Sequence, residues 1–253
     1  MANGLLYGNP SRGARPGSFP SLVGTTSAQF APVHAERVRA SELGLKISSH
    51  ATRFAFAVYR YDDDGKQARG FAADPIFGTL PALVNIDRSR VQGADLDASW
   101  RVSGMFTLSC KAAHTDSKVV HYTGIDRSGK TVDFAGQSFP LTPRTQAMLG
   151  ADLQFAFADA DAASVGLDVD YASSTKGSGS FVLSNPAWAV PARTLADLRF
   201  GYRPARSRWS LAGRVVNLSD RYYWVNARQV NDVNARYAGR PRTLSVDLSY
   251  EMH

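Results

Sequence analysis

Three groups of residues in this chain of 253 amino acids carry side chains suited to chemistry. The first is Asp62-Asp63-Asp64-Gly65, which sets three carboxylates beside a glycine as a cation loop would. It lacks the alternating ligand spacing and the closing glutamate of a calcium loop, so a solvated strand-to-loop turn is expected. The second is a set of aspartates, Asp95, Asp97, Asp152, Asp168, Asp170, Asp197 and Asp247, each flanked by apolar residues. A carboxylate pair can act as general acid and base. No Ser/His/Asp grouping accompanies these; Glu42 adds one more carboxylate, and Lys46, Lys111, Arg199 and Arg214 stand ready to neutralise the acids across strands. A charged lining, and no enzyme, is the expectation. The third group, Arg221, Tyr222, Tyr223, Trp224, Arg228 and Arg236, interleaves cations with aromatic rings near the C-terminus. Single-stranded nucleic acid would use such a surface, as would an anionic chelate held by guanidinium and ring faces. Tyr223, Trp224, Arg228 and Arg236 are the ligand candidates, with plain loop packing as the competing reading; nucleic acid is not expected as a partner.

The elements that must position these groups read as strands. Leu43, Leu45 and Ile47 alternate with Gly44 and Lys46; Ala94, Leu96, Ala98 and Trp100 with Asp95, Asp97 and Ser99. Ala147, Leu149, Ala151, Leu153 and Phe155 enclose Asp152 and Gln154, and Val165, Leu167, Val169 and Tyr171 enclose Asp168 and Asp170. Leu198, Phe200 and Tyr202 alternate with Arg199 and Gly201, and Leu244, Val246, Leu248 and Tyr250 with Ser245, Asp247 and Ser249. Period two, with one apolar and one charged face, fits strands and not helices. About ten such runs are present. The weakest lies around LLYGN near the start.

Links between the runs alternate short and long. Short ones fall near 48–52, 102–104, 159–163 and 204–207; long ones cover about 10–35, 62–82, 117–141, 174–191 and 220–241. Runs of about 9–11 residues joined this way suit an antiparallel up-and-down transmembrane β-barrel, with tight turns on one side and extended loops on the other. Tyr59, Tyr61, Trp100, Phe157, Tyr171, Tyr202, Tyr222, Tyr223, Trp224 and Tyr250 fall near strand ends, where an aromatic girdle is expected. Cys110 and His114, about 13 Å apart along a strand, cannot share a metal. Cys110 is expected to face lipid and His114 to sit near the outer rim.

Composition agrees. Hydrophobic residues make up 44%, with no uninterrupted apolar stretch long enough for a spanning helix. A single cysteine excludes internal disulfides and multi-cysteine metal sites, and no cofactor is expected. The net charge of +7 is spread along the chain. The N-terminus has no readable signal peptide, as expected if the sequence begins inside a longer protein.

The last stretch resembles the end of TonB-dependent receptors. Asn217, Leu218, Asp220 and Tyr223, followed by Gly239, Pro241 and Arg242, match that family's Asn-Leu-x-Asp-x-x-Tyr and Gly-x-Pro-Arg elements. SELGLK at 41–46, SRVQGADLDASW at 89–100, FAGQSFPLTPR at 134–144 and VPARTLADLRFGY at 190–202 match further family segments in order. The resemblance implies that residues 1–253 are the C-terminal part of a receptor barrel, without its plug domain. It implies a Gram-negative outer-membrane location, a ferric siderophore or similar nutrient as ligand, outer-membrane lipid around the wall, and TonB as a partner only through the absent plug. Such a piece is expected not to transport alone. Leu248, Tyr250 and Met252 stand where the family carries its signal for the barrel-assembly machinery, although Met252 replaces the usual aromatic end. The alternatives are a self-closed ten-stranded outer-membrane pore or adhesin, or an outer-membrane hydrolase.

Overall fold

Alternation of apolar and polar residues sends successive side chains to opposite faces, and the chain answers with strands almost throughout. The computed structural model describes residues 3–19, 25–157, 161–177, 188–205, 208–230 and 233–251. In chain order the first strands are β1 (Asn3–Arg15), β2 (Glu36–Ser48), β3 (Thr52–Asp74), β4 (Gly78–Arg101) and β5 (Phe106–His121). Two short strands follow, β6 (Thr123–Ile125) and β7 (Thr131–Asp133), then β8 (Thr145–Ala156) and β9 (Ala162–Ala172). After β10 (Thr175–Lys176) and β11 (Ala189–Val190) come β12 (Arg193–Arg203) and β13 (Trp209–Val216). The last are β14 (Trp224–Val230), β15 (Val233–Ala238) and β16 (Thr243–Tyr250).

Ten of these form one antiparallel sheet in the order β1-β2-β3-β4-β5-β8-β9-β12-β13-β16. The up-and-down wall is therefore as expected. The sheet is open: among the described residues β1 pairs only with β2 and β16 only with β13. A self-closed pore would need β1 against β16.

Register makes the two faces continuous. Leu6, Leu45, Phe56, Leu96, Ala112 and Ala147 lie opposite one another across six strands. A lower row runs Trp100, Leu108, Ala151, Leu167, Leu198, Val215 and Leu244. This face is convex and uncovered: Leu149 is 57% exposed and Leu248 72%. Leu244, Val246 and Leu248 all point away from any core, which excludes a soluble sandwich built on that face. Cys110 sits within it, opposite Ala98 and Leu149. His114 lies in the uppermost apolar row, opposite Ala94 and in register with Val58 and Leu43, with Nδ1 3.2 Å from the Thr145 hydroxyl.

Two expectations change. Residues 62–82 do not form a long loop, because β3 and β4 continue as a paired ribbon to a turn at 75–77. Asp62, Asp63 and Asp64 are thus mid-strand and not at a turn. Asp62 and Asp64 point outward to arginines, whereas Asp63 is buried on the other side near Ser89 and Lys66, so the three cannot converge on a cation. Tyr59 and Tyr61 also leave the predicted girdle. Tyr59 shares the concave face with Glu42 and Gly93, its hydroxyl 2.9 Å from Thr115, and stacks on Tyr61 at 5.3 Å. Its ring covers Gly93, where a Cβ would lie 2.6 Å from the tyrosine oxygen. Trp100, Tyr171, Tyr202 and Tyr250 do lie on the convex face near strand ends.

Above the wall, Ile86, Val119, Tyr122 and Phe134 form a small core between the β3–β4 ribbon and the β6–β7 hairpin. The turn at its edge is fixed by Asp126, whose carboxylate accepts from the Ser128 hydroxyl and the Ser128 and Lys130 amides. The Ser128 hydroxyl, then the Lys130 amide, holds that carboxyl below its ordinary range.

Candidate functional site

The concave face carries the charges. Arg199 on β12 bridges Asp168 at 2.8 Å and Asp152 at 3.1 Å; Arg214 on β13 reaches Asp197 at 2.6 Å; Lys111 lies 3.6 Å from Asp97. Aspartates and cations alternate around the inner wall, so repulsion between Asp168 and the facing Asp197 is relieved by an arginine on each. The bridges hold Asp97, Asp152, Asp168 and Asp197 as charge pairs, and no group of three or more potential metal ligands occurs among the described residues. The hollow above them, about 650 Å³, is lined by Asp97, Lys111, Met148, Asp170, Asp197 and Tyr223.

The last outer loop is tied to this wall by Asn217. Its side chain is fully buried and its backbone is in the left-handed region, φ 53°. Its Nδ2 donates to the Arg221 and Arg240 carbonyls, its Oδ1 accepts from the Arg221 amide, and its own amide donates to Asp197. One residue thus joins the start of the loop, the end of the loop and the wall. Asp220, also left-handed at φ 53°, accepts from the Arg242 amide. Gly239 donates to the Tyr223 carbonyl, and a Cβ there would meet the Tyr223 ring at 2.1 Å. Asn217 and Asp220 thus cap the turn where β13 leaves the sheet, and Tyr223 with Gly239 is the same knot from its other end.

On this base stands the β14–β15 hairpin. Trp224 pairs with Ala238 and Asn226 with Tyr237, leaving Val225 as an extra residue that reverses the alternation. Trp224 consequently shares a face with Arg236, whose guanidinium lies 4.3 Å from its ring. That face packs on the preceding loop: Trp224 Nε1 donates to the Ala189 carbonyl and Trp188 Nε1 to Asn234. Arg228 lies on the other face, 5.4 Å from the Tyr237 ring. The four ligand candidates are therefore divided. Tyr223 is in the inner hollow under Arg193, 5.7 Å away; Trp224 and Arg236 pack the hairpin; Arg228 stands with Tyr237. Tyr237 and Arg193 were not signalled by the sequence, since neither adjoins the aromatic run. Asn217 was signalled through the resemblance of its segment to the family's Asn-Leu-x-Asp-x-x-Tyr element.

A ten-stranded antiparallel wall with an uncovered apolar exterior, a charged concave interior and a knotted last loop is now established. Residues 2–218 match the family described as TonB dependent receptor-like, beta-barrel. The chain belongs to that family. TonB-dependent receptor barrels are proteins of the Gram-negative outer membrane and are not enzymes. No curated protein matches the chain. Among solved structures it is similar to the ferric yersiniabactin uptake receptor FyuA of Yersinia pestis, at 17% identity and TM-score 0.76, covering 97% of this chain and 34% of that one. BauA, the ferric preacinetobactin receptor of Acinetobacter baumannii, gives 19% and 0.70, covering 97% and 34%. FpvA, the pyoverdine outer membrane receptor of Pseudomonas aeruginosa, gives 15% and 0.67, covering 98% and 34%. At these identities the likeness is one of fold. The chain spans about a third of the length of these receptors.

Proposed function

We propose that residues 1–253 form the C-terminal wall of a receptor for TonB-dependent uptake of a ferric siderophore or similar chelate. The observation that carries this is the two-faced register, apolar without and ion-paired within, ending in the Asn217 knot and the aromatic–cationic hairpin. The fold shared with receptors for ferric yersiniabactin, ferric preacinetobactin and pyoverdine supports the ligand class. Outer-membrane transporters of 22 strands have a plugged lumen, and TonB would act through that plug. The ten strands leave two unpaired edges, whose groups cost several kcal/mol each in lipid, so these residues are not expected to transport alone. Leu248 and Tyr250, both on the outer face of β16, would present the assembly signal to the barrel-assembly machinery; Met252, the third residue of that signal, lies outside the described residues.

In this reading Arg228 and Tyr237 meet the chelate from the free face of the hairpin, and Tyr223 meets it from below. Trp224 and Arg236 shape the loop. The test is co-expression of this chain with a receptor N-terminal portion that supplies the plug and remaining strands, in a receptor-deficient Gram-negative host. TonB-dependent accumulation of labelled iron from one of a panel of ferric chelates is expected from the pair and not from the chain alone. Arg228→Ala should weaken chelate binding about thirtyfold, the size of one desolvated cation–ring contact of about 2 kcal/mol. A folded pair that binds none of the chelates would overturn the proposal.

A further inference from the structure

The Asp62-Asp63-Asp64-Gly65 run has a use other than a cation loop. Asp63 and Lys66 stand three residues apart on β3, and by simple alternation they would face opposite ways. Gly65 lies between them at φ 69°, a left-handed backbone that breaks the alternation, and the Lys66 ammonium comes to 3.6 Å from the Asp63 carboxylate. The same ammonium is 3.4 Å from Glu36, at the start of β2, and 5.5 Å from the Phe139 ring. Asp63 is 6% exposed and the Glu36 side chain 17%. Two carboxylates largely out of water thus share one lysine. Charge-assisted hydrogen bonds close to about 2.7–2.9 Å, as Arg199 does on Asp168 at 2.8 Å. Lys66, drawn both ways, completes neither contact. Among the described residues no further charge bears on Asp63: Val38 and Ser89 lie opposite it, Val119 lies beyond Ser89, and Asp62 and Asp64 point to the other face.

Glu36 is also where the β1–β2 loop joins the wall. Its second oxygen accepts from the Gln67 amide at 3.1 Å, and the Gln67 side chain donates to the Pro16 and His34 carbonyls. Asn85 binds His34 through both the His34 amide and its carbonyl, and Asp74 accepts from the Thr25 hydroxyl and the Gln29 side chain. Polar bonds therefore strap the loop to the β3–β4 ribbon. Residues 16–35 hold one ionisable side chain, His34, so any other response of the loop to pH comes from its supports.

We propose that Asp63, Lys66 and Glu36 form a proton-operated latch, which grips the β1–β2 loop against the ribbon when Asp63 is protonated and loosens it when both carboxylates are charged. A proton on Asp63 removes its claim on Lys66 and its repulsion of Glu36. The ammonium can then close on Glu36 and hold that carboxylate under the Gln67 amide. Burial pushes the Asp63 carboxyl up, Lys66 draws it down and Glu36 raises it again, which leaves it above the ordinary carboxylate value. The folded loop therefore favours the protonated form, and its hold strengthens as pH falls through that raised value. Asp74 keeps its charge throughout. Burial opposes that charge, but bonds from Thr25, Phe77, Gln29 and Ile76 outweigh it and hold the Asp74 carboxyl below the ordinary range. Ion pairs of ordinary carboxylates weaken in acid, whereas this one tightens. The inference rests on the outer ribbon alone and stands whether or not the uptake reading does.

The test is hydrogen–deuterium exchange of the full chain in lipid vesicles, read on peptides covering residues 25–36 and corrected for the intrinsic pH dependence of exchange. Protection should rise about threefold or more between about pH 7.5 and about pH 5. Asp63→Asn should show the acid level of protection at both pH values, with no rise. Glu36→Gln, which leaves Lys66 to Asp63 alone, should lose the rise as well. Asp64→Asn, on the outer side of the same strand, and His34→Gln should keep it. Protection that stays flat or falls in acid would overturn the inference. So would a rise that survives Asp63→Asn or Glu36→Gln, or one that vanishes with Asp64→Asn or His34→Gln.

Discussion

Replacing Asn217 with alanine is expected to destabilise the wall by about 4 kcal/mol. The change strips the partner from three backbone groups at once: the Arg221 and Arg240 carbonyls and the Arg221 amide. Each of these part-buried groups left unpaired costs about 1 kcal/mol, the low end for a buried one. Alanine must also hold φ 53°, where a Cβ costs roughly 1–2 kcal/mol more. Asn217→Gly removes the second cost and keeps the first, so it should fall between wild type and alanine. Asn217→Asp should be worse than glycine, because it retains an acceptor but brings a second carboxylate beside Asp197. Urea titration of the lipid-embedded chain, followed by tryptophan fluorescence, reads all three. Equal stability of the alanine and wild-type chains would show that the knot is incidental.

The residues of that knot stood out in the sequence through their resemblance to the family's closing motif, but their bonds to Asp197 and Arg240 did not, nor did much of the loop above. The wall strands could be read because water and lipid meet opposite faces, so Leu167 and Asp168 must differ in kind. Once β3 and β4 rise past the headgroups, both faces meet water or the small Ile86 core. Alternation then loses its cause, and residues 62–82 look like a loop although they are paired strand. Tyr59 shows a related limit. Its nearness to a strand end suggested a girdle, but face is set by parity, and its parity is that of Glu42. In the hairpin the extra residue Val225 reverses parity within one strand, so Trp224 and Arg228, an even number of positions apart, end on opposite faces. No spacing rule applied to the sequence would have divided the four ligand candidates.

Leu149→Arg is the second change with a large expected effect. Leu149 lies between Cys110 and Val169 in the middle of the convex face and is 57% exposed. In water, an exposed leucine exchanged for arginine changes stability by about 0.5 kcal/mol or less. At the midplane of a bilayer the same exchange on the lipid face of a barrel costs about 2–4 kcal/mol. Met148→Arg, one residue along but on the inner face beside Asp170 and Lys111, should cost far less. The pair of variants turns alternation into a measurable difference in the urea midpoint of refolding into vesicles. Similar midpoints for the two would contradict the assignment of faces.

Both variants perturb the wall they probe, whereas the native thiol does not. Cys110 is the single cysteine of the chain and lies on the convex face between Ala98 and Leu149. A nitroxide attached there, in vesicles, reports whether its surroundings are hydrocarbon or water. The wall described here predicts relaxation by oxygen and shielding from a water-soluble nickel chelate. A label at Lys111, introduced as Lys111→Cys in a Cys110→Ser background, should respond the other way. A nickel response at Cys110 as strong as at Lys111 would mean that the apolar face does not meet lipid, and the barrel reading would fail with it.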